Sequence, residues 1–451
     1  MTIHKGRPIA HALGLAAWLS LTGLLAQSTT HNPSIVLART RDSVLTLTDR
    51  LPKYTCMQTV NRTYLQTVEK PAAGASCDQF AGDKKRLLRT LGVEATDRLR
   101  LDVIVTGGQE IFSWAGAKEF ESKWIGEVIG DGPVGTGSFG TFLLDIFGND
   151  GAQFVFVGST ELQGKTVLEY GFHVPKEASH YYTGKTEKDW VVTAFSGSFW
   201  INPVTDSLER LTVLTSQLPA STGACTADTR VDYQRVRLGT GDFLLPLESE
   251  LHFLLRDGTE SISISRYSKC REYLAASTLS FDEPSSVPAK PTPPAAQPAA
   301  APLPNGLAVT LALLKPLDTD TAAAGDPIDA KVKGDVLDSA SQQVLIRAGA
   351  IVHGRILRME HRLHPSPHFL ISLSWSTMED RDWTIPFFAR IQQMDFAAAK
   401  KAAQKLGRRV TVWLPPPGES NRAAGWFIMP TTKKRLELPA GYESQWRTGP
   451  K

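Results

Sequence analysis

The chain has 451 residues, 42% of them apolar, and its 49 basic and 46 acidic side chains leave a formal net charge of +3. That length accommodates two to three domains with buried cores, and the apolar fraction excludes a chain that is disordered throughout. Charges of both signs are interspersed and form no polyanion-binding stripe, so nucleic acid is not an expected partner.

Met1 to Ala26 carries His4, Lys5 and Arg7, then an apolar run from Ile9 through Leu25 containing no acid. Residues 1–26 read as a secretory signal peptide. A permanent span wants about 20 apolar residues, and this run is shorter and interrupted by Ser20, Thr22 and Gly23. Cleavage there places Gln27 or Ser28 at the new terminus, with no cysteine to carry a lipid. The expected mature chain is periplasmic or secreted, with no transmembrane span after signal cleavage. In that setting the four cysteines, Cys56, Cys77, Cys225 and Cys270, are expected to form two disulfides, for which three connectivities are open. Their wide spacing argues against zinc, and no metal or other cofactor is expected.

The first folded part, residues 34–281, begins with a helix: Ser34 is a candidate cap, Leu37, Val44, Leu47 and Leu51 share a face, and Pro52 ends it. Strand patterns follow. Leu99, Leu101, Val103 and Val105 alternate with polar residues before Gly107-Gly108 turns the chain into Ile111, Phe112 and Trp114. Further strands are predicted over 154–157, 167–174, 191–200, 208–214, 231–237, 244–254 and 261–267, separated by turn residues such as Asn202-Pro203 and Asp257-Gly258. Many consecutive strands with short connections and few helices predict an α+β fold, a large curved antiparallel sheet covered by helices on one side.

Gly135-Thr-Gly-Ser-Phe-Gly140 matches G-x-G-x-x-G letter for letter. A dinucleotide site needs that run between a buried strand and a helix in a βαβ unit, which this stretch lacks. We read it as the entry to a helix over 139–147, capped by Thr136 or Ser138. The acid pairs Glu119/Glu121 and Glu248/Glu250 could serve a glycosidase, but same-face acids on strands are ordinarily solvated, and no catalytic residue is assigned.

Residues 282–304 hold eight prolines set largely among alanines. Proline fixes φ and lacks a donor, so this Pro/Ala-rich stretch predicts an extended linker of about 60 Å. Residues 305–394 read as a small all-β barrel or sandwich domain, with strands over 308–314, 327–332, 343–346, 350–357, 369–375 and 383–388. His361, His364 and His368 cluster with Pro365 and Pro367, a loop in which helical metal-ligand spacing is not available. Residues 395–451 are expected to be a peripheral C-terminal tail; its lysines at 400, 401 and 405 are a weak membrane-surface signal.

The aromatic residues Phe112, Trp114, Phe142, Phe147, Phe154 and Phe156, with Phe195, Phe199 and Trp200, lie close to the expected curved sheet. Most belong to a core, yet a curled sheet that does not close leaves a concave face able to take an apolar ligand. The first six are therefore the candidate ligand-binding residues. The strand running into Gly107-Gly108 and Ile111-Phe-Ser-Trp114, with Ser198-Phe-Trp-Ile-Asn-Pro203 and Leu208-Glu-Arg-Leu211, resembles the LolA-like periplasmic lipoprotein-carrier half-barrel over roughly Tyr54 to Tyr273. Leu51-Pro-Lys-Tyr-Thr-Cys56, Ser138-Phe-Gly140, Val231-Asp-Tyr233 and Cys270-Arg-Glu-Tyr273 resemble a group of uncharacterised secreted bacterial proteins. Ala324-Gly-Asp-Pro327, Ile346-Arg-Ala-Gly-Ala350 and His353-Gly-Arg355 resemble small β domains of envelope and secretion-apparatus proteins.

These resemblances imply a fold and no activity. The expectation drawn from them and the residues together is a non-enzymatic, exported cell-envelope protein that binds an apolar ligand or lipidated partner in its concave sheet, its β domain docking on a different envelope protein. The alternatives are a structural or protein-interaction scaffold with a filled core and an unrecognised hydrolase.

Overall fold

The computed structural model describes residues 31–67, 77, 91–106, 109–117, 120, 125–129, 132–183, 190–215, 218–273, 303–338, 341–364, 366–381, 383–391 and 424–450. The signal segment, the Gly107-Gly108 turn, nearly all of the Pro/Ala-rich stretch, Glu119, Glu121, Pro365 and the lysines at 400, 401 and 405 lie outside these. No helix among the described residues is long and apolar enough to cross a membrane.

Helix α1 (Pro33–Asp49) starts one step earlier than the sequence suggests: Asn32 is the cap, its side chain accepting the Ser34 N–H at 3.0 Å, and Pro33 takes the first helical position, where its missing donor costs nothing. Val36, Thr40 and Val44, four residues apart, are buried. Ten antiparallel strands form the sheet beneath it: β1 (Tyr54–Thr67), β2 (Leu91–Thr106), β3 (Gln109–Trp114), β4 (Gln153–Leu162), β5 (Lys165–Val174), then, after the short pair β6 (Tyr182–Thr183) and β7 (Val191–Val192), β8 (Phe195–Asn202), β9 (Ser207–Val213), β10 (Ala224–Leu238), β11 (Gly241–Leu255) and β12 (Glu260–Glu272). Their spatial order is β4-β5-β8-β9-β10-β11-β12-β1-β2-β3. The chain therefore fills the middle of the sheet last, β12 closing against β1. Two further helices, α2 (Ile125–Ile129) and α3 (Thr141–Phe147), lie between β3 and β4. Predominantly antiparallel strands with few helices are the expected α+β curved sheet.

The cysteines select one of the three connectivities: Cys56 bonds Cys270, tying β1 to β12, and Cys77 bonds Cys225 at the start of β10. Both bridges join residues far apart in sequence, where restricting the unfolded chain contributes about 2–4 kcal/mol each.

The C-terminal strands are β13 (Ala308–Leu313), β14 (Leu317–Asp318), β15 (Pro327–Val332), β16 (Val336–Leu337), β17 (Val344–Ile346), β18 (Ile351–Arg362), β19 (His368–Asp380), β20 (Trp383–Pro386), β21 (Ala389–Ile391), β22 (Ala424–Pro430), β23 (Glu437–Leu438) and β24 (Glu443–Thr448). They enclose one apolar core, in which the Trp375 and Trp446 rings meet edge to face at 5.4 Å. The tail is thus not peripheral over its described part: β22 pairs with β19 and β24 with β13 and β21. Its signal was the alternation Ser444, Trp446, Thr448 inward against Gln445 and Arg447 outward. Sequence reasoning also ended β18 too soon. The strand continues through His361, which stacks on Phe369 at 4.3 Å, so the histidine cluster spans a hairpin rather than one loop.

This β unit is joined to the first sheet through β2. β18 pairs with the first half of β2, Glu360 opposite Asp97 and Arg362 opposite Ala95, and the loop before β15 bridges the middle of β2: Arg100 N–H donates to Ala324 O and Ala324 N–H to Arg98 O. Asp326 takes the Arg100 guanidinium. Gly325, at φ +102°, inserts where a Cβ would strike Arg100 O and the Trp114 ring. Replacing Gly325 with valine imposes a left-handed backbone on a β-branched residue, a cost of about 1–3 kcal/mol before the clash. The expected outcome is a lower urea midpoint together with faster amide exchange at Arg100 and Ala324; unchanged exchange there would show that the junction does not depend on Gly325.

Candidate functional site

The concave face has two halves with different covers. Over β5, β8 and β9 lie α1 and α3, whose Phe142, Leu143, Ile146 and Phe147 are buried against Tyr170, Phe172, Phe195 and Phe199. Phe147 meets Phe199 at 5.1 Å and stacks on Phe154 at 6.3 Å. Phe142 and Phe147 are fully buried, Phe154 is half-buried, and Phe156 at the sheet edge is 44% exposed. A void of about 10 Å³ lies where this half meets the next, lined by Val44, Leu47, Leu143 and Leu244 and by Leu51 and Phe139, room for roughly one water. This half is filled by the chain itself.

Over β1, β2, β3, β11 and β12 the cover is the strap 132–140, an irregular segment between α2 and α3. Phe139 drops from it into a chamber walled by Tyr54, Phe112, Leu245 and Tyr267; its ring lies 4.8 Å from that of Tyr267 and 5.9 Å from that of Tyr54. Phe112 is buried in this half, with Trp114 partly buried beside it. The six candidate aromatics are therefore not one surface: Phe142, Phe147, Phe154 and Phe156 belong to the helix-covered half, Phe112 and Trp114 to the strap-covered half.

The strap is held by side chains reaching its backbone. Glu110 accepts the Gly137 N–H at 3.0 and 2.9 Å and the Phe139 N–H at 3.1 Å. Tyr233 donates its hydroxyl to Ser138 O at 3.0 Å, and Ser263 donates to Pro133 O at 2.9 Å. The glycine run thus does what such runs do for phosphates, presenting N–H groups to an anion, and the anion is the chain's own carboxylate. Gly137, at φ +89°, supplies the turn that aims them. Helix α3 starts only at Thr141, capped by Gly140 with no side-chain bond, so neither Thr136 nor Ser138 is its cap.

Around Glu110 the polar groups are unusually dense for an interior. Tyr267 and Ser249 share a hydrogen bond at 2.9 Å, and Gln58 donates to Ser265 at 3.0 Å. The buried Tyr54 hydroxyl and Gln58 Oε1 have no hydrogen-bond partner among the described residues. Burial raises the Glu110 carboxyl above its ordinary value, against the opposing backbone bonds from Gly137 and Phe139. Burial, with Glu110 adding, pushes Tyr267 up to about 12 and raises Tyr54. Sequence reasoning missed Glu110, although its signal was present: 110 shares the inward register of Phe112 and Trp114 on β3, an acid on an apolar face.

Other sequence candidates are dispersed. Glu248 pairs with Arg266 at 2.8 Å and Glu250 with Arg230 at 2.9 Å, an ion lattice on the sheet. Among the described residues, no three His, Cys, Asp or Glu side chains are grouped to hold a metal. A cavity of about 200 Å³ at the β2–β18 junction is lined by Arg62, Asp97, Arg358, Glu360 and Arg362. Its arginines are committed: Arg62 to Asp97 at 2.8 and 2.6 Å, Arg358 and Arg362 to Glu360 at 2.9 and 2.8 Å.

No protein-family model and no curated protein matches the chain. Solved structures similar to it include a LolA superfamily protein from Nitrosomonas europaea (7% identity, 54% of this chain and 94% of that one, TM-score 0.27). Another is a putative outer membrane lipoprotein-sorting protein domain from Vibrio parahaemolyticus (8%, 52% and 90%, TM-score 0.25). A third is ComB10 of the Com type IV secretion system of Helicobacter pylori (11%, 32% and 86%, TM-score 0.19). At these scores the likenesses assign no activity.

An acid whose folded pKa is raised binds its proton more tightly in the folded chain, so its contribution is most favourable below its ordinary value of 4.5 and declines as pH rises from there through the folded value. Glu110→Gln keeps the Oε1 acceptor and cannot ionise. The variant is expected to gain stability relative to the parent as pH climbs above 4.5, read as the difference between their thermal midpoints; a pH-independent difference would place the Glu110 titration elsewhere.

Proposed function

We propose that the chain is an exported, non-catalytic binding protein of the cell envelope that takes an apolar ligand, or the acyl group of a lipidated partner, beneath its strap. The observation that carries this reading is the cover of the second half of the concave face. A helix packed by its own apolar face is part of the fold, whereas the strap inserts one aromatic plug into an aromatic chamber, packs Val134 beside it, and receives side-chain hydrogen bonds on its backbone at Pro133, Gly137, Ser138 and Phe139. Burying Phe139 is worth about 1.5–3 kcal/mol and each bond about 1 kcal/mol, so a guest has to offset about 6 kcal/mol to replace the plug. An alkyl chain in the same walls does so by the same burial. The two disulfides fit an oxidising compartment. Lined by aromatic and aliphatic side chains, the chamber gives a guest apolar contact, and the unpaired Tyr54 and Gln58 atoms beside it can satisfy a polar head.

The second reading, a scaffold with a filled core, is favoured by Phe142 and Phe147, which are fully buried in the helix-covered half. A fluorescent naphthylamine probe separates the two. On the binding reading the full chain takes up the probe, and Tyr233→Phe, which frees Ser138 O from its tether, speeds uptake and tightens binding by about five-fold, since about 1 kcal/mol less has to be offset. Absence of probe uptake in both proteins, with no hydrophobe found by native mass spectrometry of the periplasmically expressed chain, selects the scaffold.

A further inference from the structure

We infer that the guest taken beneath the strap is an alkyl chain with a primary ammonium head, and that Glu110 is the residue that selects it. This deepens the binding reading above and rests on it. Glu110 on β3 lies opposite Val105. Its charge acts on three phenol hydroxyls, Tyr54 from β1, Tyr233 from β10 and Tyr267 from β12, adding to the burial that raises them. In the closed chain the strap compensates this carboxylate through the N–H groups of Gly137 and Phe139. Phe139 is also the plug of the chamber. The residue that a guest displaces is therefore one of those that hold the Glu110 charge.

A guest that fills the chamber shuts water out of it, so the carboxylate left without its strap donors has to take a proton or a cation. The hydrogen-bonding capacity around it suits the cation. Gln58 spends its amide donor on Ser265, while its Oε1 and the Tyr54 hydroxyl are unpaired among the described residues. Glu110, Gln58 Oε1 and the Tyr54 oxygen thus offer acceptors, and an ammonium brings three donors and no acceptor. A cation is also drawn to aromatic rings, and those of Tyr54 and Tyr267 pack against Phe139 at 5.9 and 4.8 Å. A sulfate, phosphate or carboxylate head meets the reverse: the like charge of Glu110 and, of these unpaired groups, only the Tyr54 hydroxyl to donate. A neutral alcohol leaves the carboxylate uncompensated.

Competition against the naphthylamine probe on the full chain with its native disulfides tests this, with decylammonium, decanol and decyl sulfate as guests of equal tail. Decylammonium is expected to bind about ten-fold tighter than decanol, the difference between a charge-assisted and a neutral hydrogen bond, with decyl sulfate the weakest. Glu110→Gln loosens the strap for all three guests alike but cannot ionise, so the advantage of decylammonium over decanol is expected to disappear. The parent gives the same test without a variant. Decylammonium keeps its charge, so its advantage is expected to fade as pH falls through the Glu110 value toward 4.5, where a proton takes the place of the cation. Nothing else facing Glu110 titrates there: the three tyrosines lie above their ordinary 10.0, the strap carries no charged residue, and Glu127 of α2 is exposed. If none of the three guests binds, the binding reading itself fails. If they bind equally, if decanol or decyl sulfate outranks decylammonium, or if the advantage persists in Glu110→Gln or at acid pH, the assignment of the head is overturned and the binding reading stands.

Discussion

Strand β2 is the constraint on which the rest depends. One edge of its sixteen residues pairs along its length with β1. The other edge is divided: Leu101 to Thr106 pairs with β3, Arg98 and Arg100 bond the backbone of Ala324, and Ala95 to Asp97 pairs with β18. Leaving half a central strand unpaired would strand its backbone groups in a partly buried setting. The C-terminal β unit therefore completes the first sheet, and the two cores share a continuous ladder. Arg62 and Asp97, whose side chains are 5% and 6% exposed, sit at that joint as a bidentate pair. Removing one partner of such a pair costs about 3–5 kcal/mol because the other charge is left buried.

β2 also fixes the second half of the concave face. Its hairpin with β3 sets Glu110 opposite Val105 and turns Glu110, Phe112 and Trp114 inward together. An acceptor in that register holds the N–H groups of the glycine run, and the strap so held carries Phe139 between Tyr54 and Tyr267. Among the described residues no cation acts on this carboxylate, and its backbone donors partly offset the cost of burying it. On the proposed reading this cover, which buries the single aromatic ring of Phe139, is displaced before α3, which buries both Phe142 and Phe147.

Much of the fold is legible in the sequence because strands facing one core alternate. Leu99, Leu101, Val103 and Val105, and the 327–332 strand, fall where the periodicity puts them. What the sequence hides is long-range: which cysteines pair, which unit borders β2, and what the G-x-G-x-x-G run binds, since its ligand, Glu110, is supplied 27 residues upstream. The aromatic candidates were found by type, but type does not separate Phe147, fully buried on α3 against the sheet, from Phe156, exposed at an edge. The tail was misjudged because β22 and β24 follow a proline- and alanine-rich stretch, although Trp446 in an alternating run marks a core strand.

The central claim is that the strap is a replaceable cover. Amide hydrogen exchange of the full chain, followed at Gly137 and Phe139 with and without a saturating single-chain amphiphile, tests it most directly. The account predicts slow exchange at both amides in the free protein, since Glu110 holds them, and faster exchange at both when the amphiphile is bound, while α3 stays protected. Unchanged protection at Gly137 and Phe139 in the presence of bound amphiphile would contradict it.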